Sequence, residues 1–95
     1  PAIKLELPKA KHADAVRQKP LVVHIDPYGA VFLNDEPVDI SFLEAALESK
    51  LRESDEKAVV LKADSRVSHG TVVEIMDIVK GAGARRLVVS TKPED

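Results

Sequence analysis

The chain has 95 residues, with fourteen Lys and Arg against sixteen Asp and Glu, a formal net charge of −2, no cysteine and an apolar share of 44%. This length fits one domain, and the nearly balanced charge provides no sequence-wide field to attract nucleic acid or an anionic membrane. The lack of cysteine excludes disulfides and cysteine-based metal or redox sites, and no apolar stretch approaches the roughly 18–20 residues that span a bilayer.

The first twenty residues are rich in charge and contain three prolines. Ile3, Leu5 and Leu7 alternate with polar residues until Pro8, which predicts a short strand over residues 3–7. The rest of residues 1–20 is predicted to be a flexible tether. From residue 9 to residue 20 it extends to roughly 40 Å, at about 3.3 Å per residue.

Residues 21–26 and 30–33 are rich in β-forming side chains and are separated by a Pro-Tyr-Gly turn at 27–29, which predicts a hairpin. Asn34, Asp35 and Glu36 then provide turn chemistry, and Pro37 is expected to block further ladder pairing. The hairpin is therefore predicted to end at residue 33.

Residues 39–53 have apolar side chains at the three-and-four spacing of a helix with one buried stripe. Two starts are consistent with the pattern: Asp39 as the cap, with Val38 and Leu43 as a hydrophobic staple, or a capping box of Ser41 and Glu44. Asp39 is the favoured cap. The apolar positions are Ile40, Leu43, Ala46, Leu47 and Leu51.

Residues 58–63 form an apolar run that predicts a central strand buried on both faces. Ser68 is expected to cap a second helix, Gly83 to end it, and residues 86–91 to form the last strand. The packing face of that helix comprises Val72, Ile75, Met76, Val79 and Ala82. Right-handed crossovers then place both helices on one face of a mixed sheet. The predicted fold class is α+β, a β-β-α-β-α-β two-layer sandwich with a folded domain over 21–92 and a disordered tail over 93–95.

Two groups of polar residues invite a chemical interpretation. His24 and Asp26 share one face of a strand, but a metal site needs a third ligand that the sequence does not indicate. Asp64, Ser68 and His69 follow a strand and resemble the parts of a nucleophile system. Adjacent residues in a short loop usually point in different directions, so backbone capping by Asp64 and Ser68 is the favoured role.

Two further sequence patterns suggest ligand binding but are better explained as parts of a helix end. Gly81 and Gly83 resemble a phosphate-binding loop but follow a helix, where they are expected to end it. Arg85 and Arg86 form a basic cluster with Lys80 and Lys92. This cluster is suited either to an anion or to the negative end of the second helix, and the second role is favoured. No catalytic residue, cofactor or metal ion is predicted, and the chain is not expected to be an enzyme.

The ordered set of segments is more specific than any single motif. Its sharpest pieces are Leu7-Pro8-Lys9-Ala10, Leu61-Lys62-Ala63-Asp64, and Val73-x-x-Met76-Asp77 leading to Ala82-Gly83. Together with LVVHIDPYGAVFLNDEPV and the final LVVST, they resemble the ExbD/TolR family of biopolymer transport proteins over almost the whole chain. The LPKA motif favours ExbD over TolR.

The resemblance implies a single-pass protein of the cell inner membrane whose transmembrane helix precedes this chain, with the present domain in the periplasm. Its implied function is to use the proton-motive force, together with ExbB or TolQ-like membrane subunits, to drive transport across the outer membrane. It implies a homodimer that relays motion to a TonB or TolA-like protein and, for TolR-like relatives, contact with peptidoglycan. No nucleic acid partner is expected.

The predicted partner-binding residues belong to two segments able to add a strand to a sheet edge through backbone hydrogen bonds. They are Ile3, Leu5, Leu7, Pro8 and Lys9 in the tether, and Arg86, Leu87, Val88 and Val89 in the last strand. An alternative function is a small-ligand-sensing regulatory domain, because two helices on one face of a small sheet also occur in such domains. A hydrolase using Asp64, Ser68 and His69 ranks last.

Overall fold

The computed structural model describes residues 20–92. The chain order in this region is β1 (Leu21–Ile25), β2 (Val31–Leu33), β3 (Glu36–Pro37), α1 (Ile40–Arg52), β4 (Ala58–Asp64), α2 (His69–Gly81) and β5 (Arg86–Lys92). Residues 1–19 of the tether predicted over 1–20, its strand at 3–7 and the tail at 93–95 lie outside the described residues. No helix within residues 20–92 combines the length and apolar character needed to cross a membrane.

The strands lie in the order β3-β2-β1-β4-β5. β1 pairs antiparallel with β2 and parallel with β4, and β4 pairs parallel with β5. The predicted mixed sheet is therefore confirmed, and β4 is an interior strand between β1 and β5, as predicted. The prediction that this strand is buried on both faces is wrong, because Leu61 is fully buried whereas Val60 is half-buried and Lys62 is exposed.

The prediction that pairing stops at Pro37 is wrong. Glu36 and Pro37 form β3, in register with Leu33 and Phe32 of β2. Proline cannot donate a backbone hydrogen bond, but it is tolerated on an edge strand. The ladder continues past it because the Val38 N–H donates to the Val31 carbonyl at 2.9 Å.

Both helices begin at the predicted caps. Asp39 Oδ1 accepts a hydrogen bond from the Ser41 N–H at 2.9 Å, so Asp39 and not Ser41 caps α1. Ser68 Oγ accepts from the Thr71 N–H at 3.1 Å at the start of α2. Gly83 follows the end of α2 with φ +107°, a left-handed conformation that glycine adopts without a steric penalty.

The core lies between the helices and one face of the sheet. The buried strand residues alternate, so that Val23, Leu33 and Leu61 face the same side. The buried helix side chains belong to the same apolar cluster, which places both helices on that side, as predicted. They are Leu43, Leu47 and Leu51 of α1 and Ile75 and Val79 of α2.

Candidate partner-binding surface

The last strand, β5, lies at one edge of the sheet. Within residues 20–92 it has a single neighbouring strand, β4, with Val59 opposite Leu87 and Val60 opposite Val88. Seven residues long and free of proline, it presents a row of backbone groups suited to pairing with another strand.

Side chains of β5 alternate between the two faces of the sheet. Leu87 packs against the core, whereas Val88 and Val89 are 54% and 44% exposed. Burying these two valines against a second chain would remove apolar surface from water, and each fully buried aliphatic side chain contributes about 1.5–3 kcal/mol. The edge therefore combines backbone pairing capacity with apolar contact area.

Val88 also ends an apolar row on the face that the helices leave uncovered. The strand registers place Val22 of β1, Val60 of β4 and Val88 of β5 side by side on this face. We call these three residues the valine row. Val22 and Val60 are half-buried. Beyond the row, His24 stacks on Phe32 with ring centroids 5.9 Å apart.

The chain segment that contains β5 is basic. Residues 78–92 contain Lys80, Arg85, Arg86 and Lys92 and no acidic residue. Arg86 Nη2 lies 3.7 Å from Glu56 Oε1, but both side chains are exposed, at 69% and 49%, and such surface pairs contribute little to stability. Arg86 can therefore exchange this partner for another carboxylate at low cost.

The structure brings four predicted partner-binding residues together, because Arg86, Leu87, Val88 and Val89 are consecutive in β5. The other five, Ile3, Leu5, Leu7, Pro8 and Lys9, lie outside the described residues. Sequence analysis missed Val22 and Val60. Each belongs to a run of consecutive apolar residues, which indicates a strand with two apolar faces. Which of the two faces is left uncovered depends on where both helices pack.

Of the three residues with possible catalytic roles, Asp64 and Ser68 have structural ones, and His69 is the first residue of α2. Asp64, 7% exposed, accepts at Oδ1 from the Arg66 N–H at 2.9 Å and from Arg66 Nε at 3.0 Å. This interaction raises the pKa of the Arg66 guanidinium, mainly through the hydrogen bond to Asp64. Ser68 is occupied as the cap of α2. The loop between β4 and α2 is thus held by a backbone hydrogen bond and an ion pair to Asp64.

The metal and phosphate interpretations have no geometric support either. No group of three or more His, Asp or Glu side chains within residues 20–92 is placed to hold a metal ion. Asp26 Oδ1 instead accepts from the backbone N–H groups of Tyr28 and Ala30, both at 2.9 Å, and so braces the β1–β2 turn. Gly81 is the last residue of α2, at the carbonyl end of the helix, which repels anions.

Comparison with known proteins identifies the family of the chain. The family model described as "Biopolymer transport protein ExbD/TolR" matches residues 1–94. The chain is 36% identical over 91 residues to the biopolymer transport protein ExbD of Pseudomonas aeruginosa, covering 95% of this chain and 68% of that protein. It is 30% identical over 96 residues to ExbD of Helicobacter pylori, covering 97% and 71% of the two chains.

A third relative, the biopolymer transport protein exbD2 of Vibrio cholerae, is 29% identical over 90 residues, covering 95% of this chain and 67% of the relative. The resemblance drawn from the LPKA, LKAD and VxxMD motifs is therefore confirmed. The family match extends over residues 1–19 as well as the sheet and helices. The chain belongs to the ExbD/TolR family of biopolymer transport proteins.

Proposed function

We propose that the chain is the periplasmic domain of an inner-membrane energy transducer of the ExbB-ExbD-TonB or TolQ-TolR type. In this proposal the native protein is a homodimer anchored by a transmembrane helix and associated with ExbB or TolQ-like subunits. Proton flow through the membrane part moves the domain, which passes that motion to a TonB or TolA-like protein by contact. Peptidoglycan is a second contact for TolR-like behaviour.

The observation that carries the proposal is the β5 edge. Strand addition supplies several backbone hydrogen bonds at once and resists a force applied along the strand, as a force-relaying contact requires. The exposed Val88 and Val89 add apolar contact on both sides of the added strand. Arg86 adds a cation that favours an acidic residue in the partner.

The same edge offers a place for residues 3–7 of this chain or of a second protomer. Ile3, Leu5 and Leu7 alternate as a strand requires, and the linking residues are long enough to reach a sheet edge. We propose two states: one with this segment docked on β5, and one in which a TonB or TolA-like partner has displaced it.

The experiment places a photo-crosslinking amino acid at Val88 in the full-length protein in its native membrane. We expect an adduct with the TonB or TolA-like protein when the membrane is energised, and an adduct with residues 3–7 after the proton gradient is collapsed. The matched control is Phe42, which is 68% exposed on the solvent side of α1. Equal adducts from both positions, or a pattern insensitive to the gradient, would contradict the proposal.

A charge substitution at the same position tests partner binding directly. Val88→Lys places a charge in the apolar contact and should weaken partner binding at least about tenfold, the equivalent of losing one buried aliphatic side chain. Phe42→Lys places the same charge on the solvent side of α1 and should leave binding unchanged. Folding of both variants is checked by circular dichroism.

A further inference from the structure

Lys57, the residue that precedes β4, has a strained backbone conformation. Its φ is 50°, in the left-handed region where the β-carbon is crowded by the following carbonyl oxygen. The loop from α1 to β4, residues 53–57, contains no glycine that could take this position without strain. A strained conformation of this kind persists only where the surrounding contacts hold it in place. The contacts of Lys57 are therefore the reason for its conformation.

The half-buried side chain of Lys57 binds the carboxyl end of α1. Its Nζ donates to the carbonyl oxygen of Leu51 at 2.8 Å and to that of Ser54 at 3.1 Å. Carbonyl groups at the end of a helix carry partial negative charge and lack a partner within the helix, so a cation is favoured there. The Lys57 N–H also donates to Ser54 Oγ at 3.0 Å. These contacts fix Lys57 against the end of α1 and the residues that follow it.

The backbone carbonyl of Lys57 holds the start of β5. It accepts from the Arg85 N–H at 2.8 Å and from the Arg86 N–H at 3.2 Å. Ala58, the next residue along the chain, is paired with Arg86 in the parallel ladder of β4 and β5. A change in the backbone conformation of Lys57 would therefore displace the shared acceptor of two hydrogen bonds. One residue thus joins the end of α1 to the first residues of the edge strand.

The remainder of β5 is held by few side-chain contacts. Leu87 packs against the core, whereas the other five side chains of residues 86–91 are exposed. Within residues 20–92 the strand has β4 as its single neighbour. Segments with few buried contacts and solvent-exposed hydrogen bonds open locally at a lower free energy than the core. The contacts at the start of β5 therefore contribute a large share of what keeps this strand in the sheet.

We infer that Lys57 is a latch that controls local opening of β5. While its ammonium binds the carbonyls of Leu51 and Ser54, the left-handed backbone is held and the Lys57 carbonyl stays in position for Arg85 and Arg86. When the ammonium leaves, the backbone relaxes and β5 separates from β4, while β1, β4 and both helices stay folded. A force on β5 from a docked partner would reach α1 through this residue. That consequence rests on the proposed function, whereas local opening is a property of the chain alone.

The test measures amide hydrogen exchange in the isotope-labelled chain, residues 1–95, without a partner and at increasing urea concentrations below the unfolding transition. We expect the amides of Arg86 and Val88 to exchange faster than those of Val23 and Ile25 in β1. Exchange in β5 should depend little on urea, because local opening exposes little surface. Exchange in β1 should accelerate steeply with urea, because it requires unfolding of the whole domain.

Substitutions at both ends of α1 separate the latch from stability in general. Lys57→Met keeps an unbranched side chain but removes the ammonium, and should accelerate exchange of the Arg86 and Val88 amides about tenfold. Asp39→Ala removes the cap at the other end of α1 and also lowers the stability of the whole domain. It should leave exchange in β5 unchanged, because the Asp39 cap remains intact when β5 alone opens.

Two further variants control for charge and for folding. Lys50→Met removes a cation from the last turn of α1 and should leave exchange in β5 unchanged. Ser54→Ala removes the acceptor of the Lys57 N–H and keeps the ammonium contacts, so it disturbs the fold less than Lys57→Met. It should accelerate exchange in β5 about threefold, and it tests the latch if Lys57→Met does not fold.

Three results would overturn the inference. The first is unchanged exchange in β5 of Lys57→Met or Ser54→Ala, which would mean that the contacts of Lys57 survive when β5 opens. The second is an equal acceleration in Asp39→Ala or Lys50→Met. The third is a urea dependence in β5 as steep as that of β1, because β5 would then leave the sheet only when the whole domain unfolds. None of these measurements includes a partner, so they can fail while the docking of a partner on β5 is confirmed, and the reverse.

Discussion

The two edges of the sheet differ in length, composition and charge. β3 is two residues long, contains Pro37, and belongs to a segment, residues 25–49, with six acidic side chains. β5 is seven residues long, contains no proline, and belongs to a basic segment that exposes two valines. Short strands, proline and charge are the features by which proteins protect a sheet edge from pairing with another chain. The β3 edge therefore carries features that prevent pairing with another chain, whereas the β5 edge lacks them.

The largest expected effect is a loss of stability when a buried residue near the β3 edge is truncated, compared with an exposed residue at the β5 edge. Leu33 of β2, beside the protected edge, is 5% exposed, whereas Val88 of β5 is 54% exposed. We expect Leu33→Ala to lower the free energy of unfolding by about 2–5 kcal/mol, because it leaves a cavity in the core. Val88→Ala should change it by less than about 0.5 kcal/mol. Urea denaturation of the chain measures both.

Similar losses of unfolding free energy in Leu33→Ala and Val88→Ala would contradict this difference between the two edges. They would mean that Val88 contributes to the stability of the folded chain and that the β5 edge is covered within it. Leu33→Met, which conserves most of the volume, is the control for Leu33 and should cost less than about 1.5 kcal/mol.

A smaller effect is expected at the turn that forms the protected edge. Asn34 and Asp35, between β2 and β3, have φ values of 49° and 72°, the left-handed region that glycine enters most easily. Positive φ at both central residues is typical of a type I′ hairpin turn, for which Asn-Gly is a favoured pair. Asp35→Gly removes the steric cost of a left-handed conformation, about 1–2 kcal/mol. It also increases the backbone entropy lost on folding, which costs about 0.5–1 kcal/mol.

The matched control for Asp35→Gly is Asp35→Ala, which removes the same charge but keeps a β-carbon at positive φ. We expect the glycine variant to be the more stable of the two by about 0.5–1 kcal/mol in thermal unfolding. A more stable alanine variant would show that the turn tolerates a different backbone conformation.

The smallest expected effect depends on pH and concerns the cap of α1, next to the protected edge. Hydrogen bonds from the Ser41 side chain and then the Ser41 N–H hold the pKa of Asp39 below its ordinary value of 3.8. Because the folded-state pKa is the lower one, this carboxylate stabilises the fold fully above its ordinary pKa, and the contribution is lost as pH falls through the folded value.

Comparison with Asp39→Asn isolates the titration of the cap. Asparagine also caps helices well but does not titrate, so the stability of wild type relative to the variant should fall as pH is lowered from near neutral through and below the ordinary pKa of 3.8. Urea denaturation at several pH values measures this difference. A constant difference would show that the Asp39 carboxylate does not contribute to capping.

Local features of the fold could be predicted because local interactions decide them. Asp39 and Ser68 precede apolar residues at helical spacing, and a side-chain oxygen at that position satisfies a free N–H of the first turn. Gly83 was correctly predicted to end α2 because few other residues adopt its φ. The boundaries of β4 and β5 were predicted to within one residue of those observed.

The prediction failed at Pro37 because it weighed one residue without its neighbours. Proline removes a donor, but the Val38 N–H still reaches the Val31 carbonyl, so a short strand forms at the edge. The valine row was also missed. Val22 and Val60 each belong to a run of apolar residues, and such runs do not reveal which face the helices leave uncovered.

The amino-acid sequence alone was enough to predict the family, the helix caps, the residues of β5 and the order of the helices and strands apart from β3. Only the three-dimensional arrangement shows that β5 is an edge strand and that the valine row lies on the uncovered face of the sheet. The two sets of features differ in the sequence separation of the residues that form them. Caps, turns and periodicity depend on residues a few positions apart, whereas edges and uncovered faces depend on the lateral order of strands that are distant in the chain.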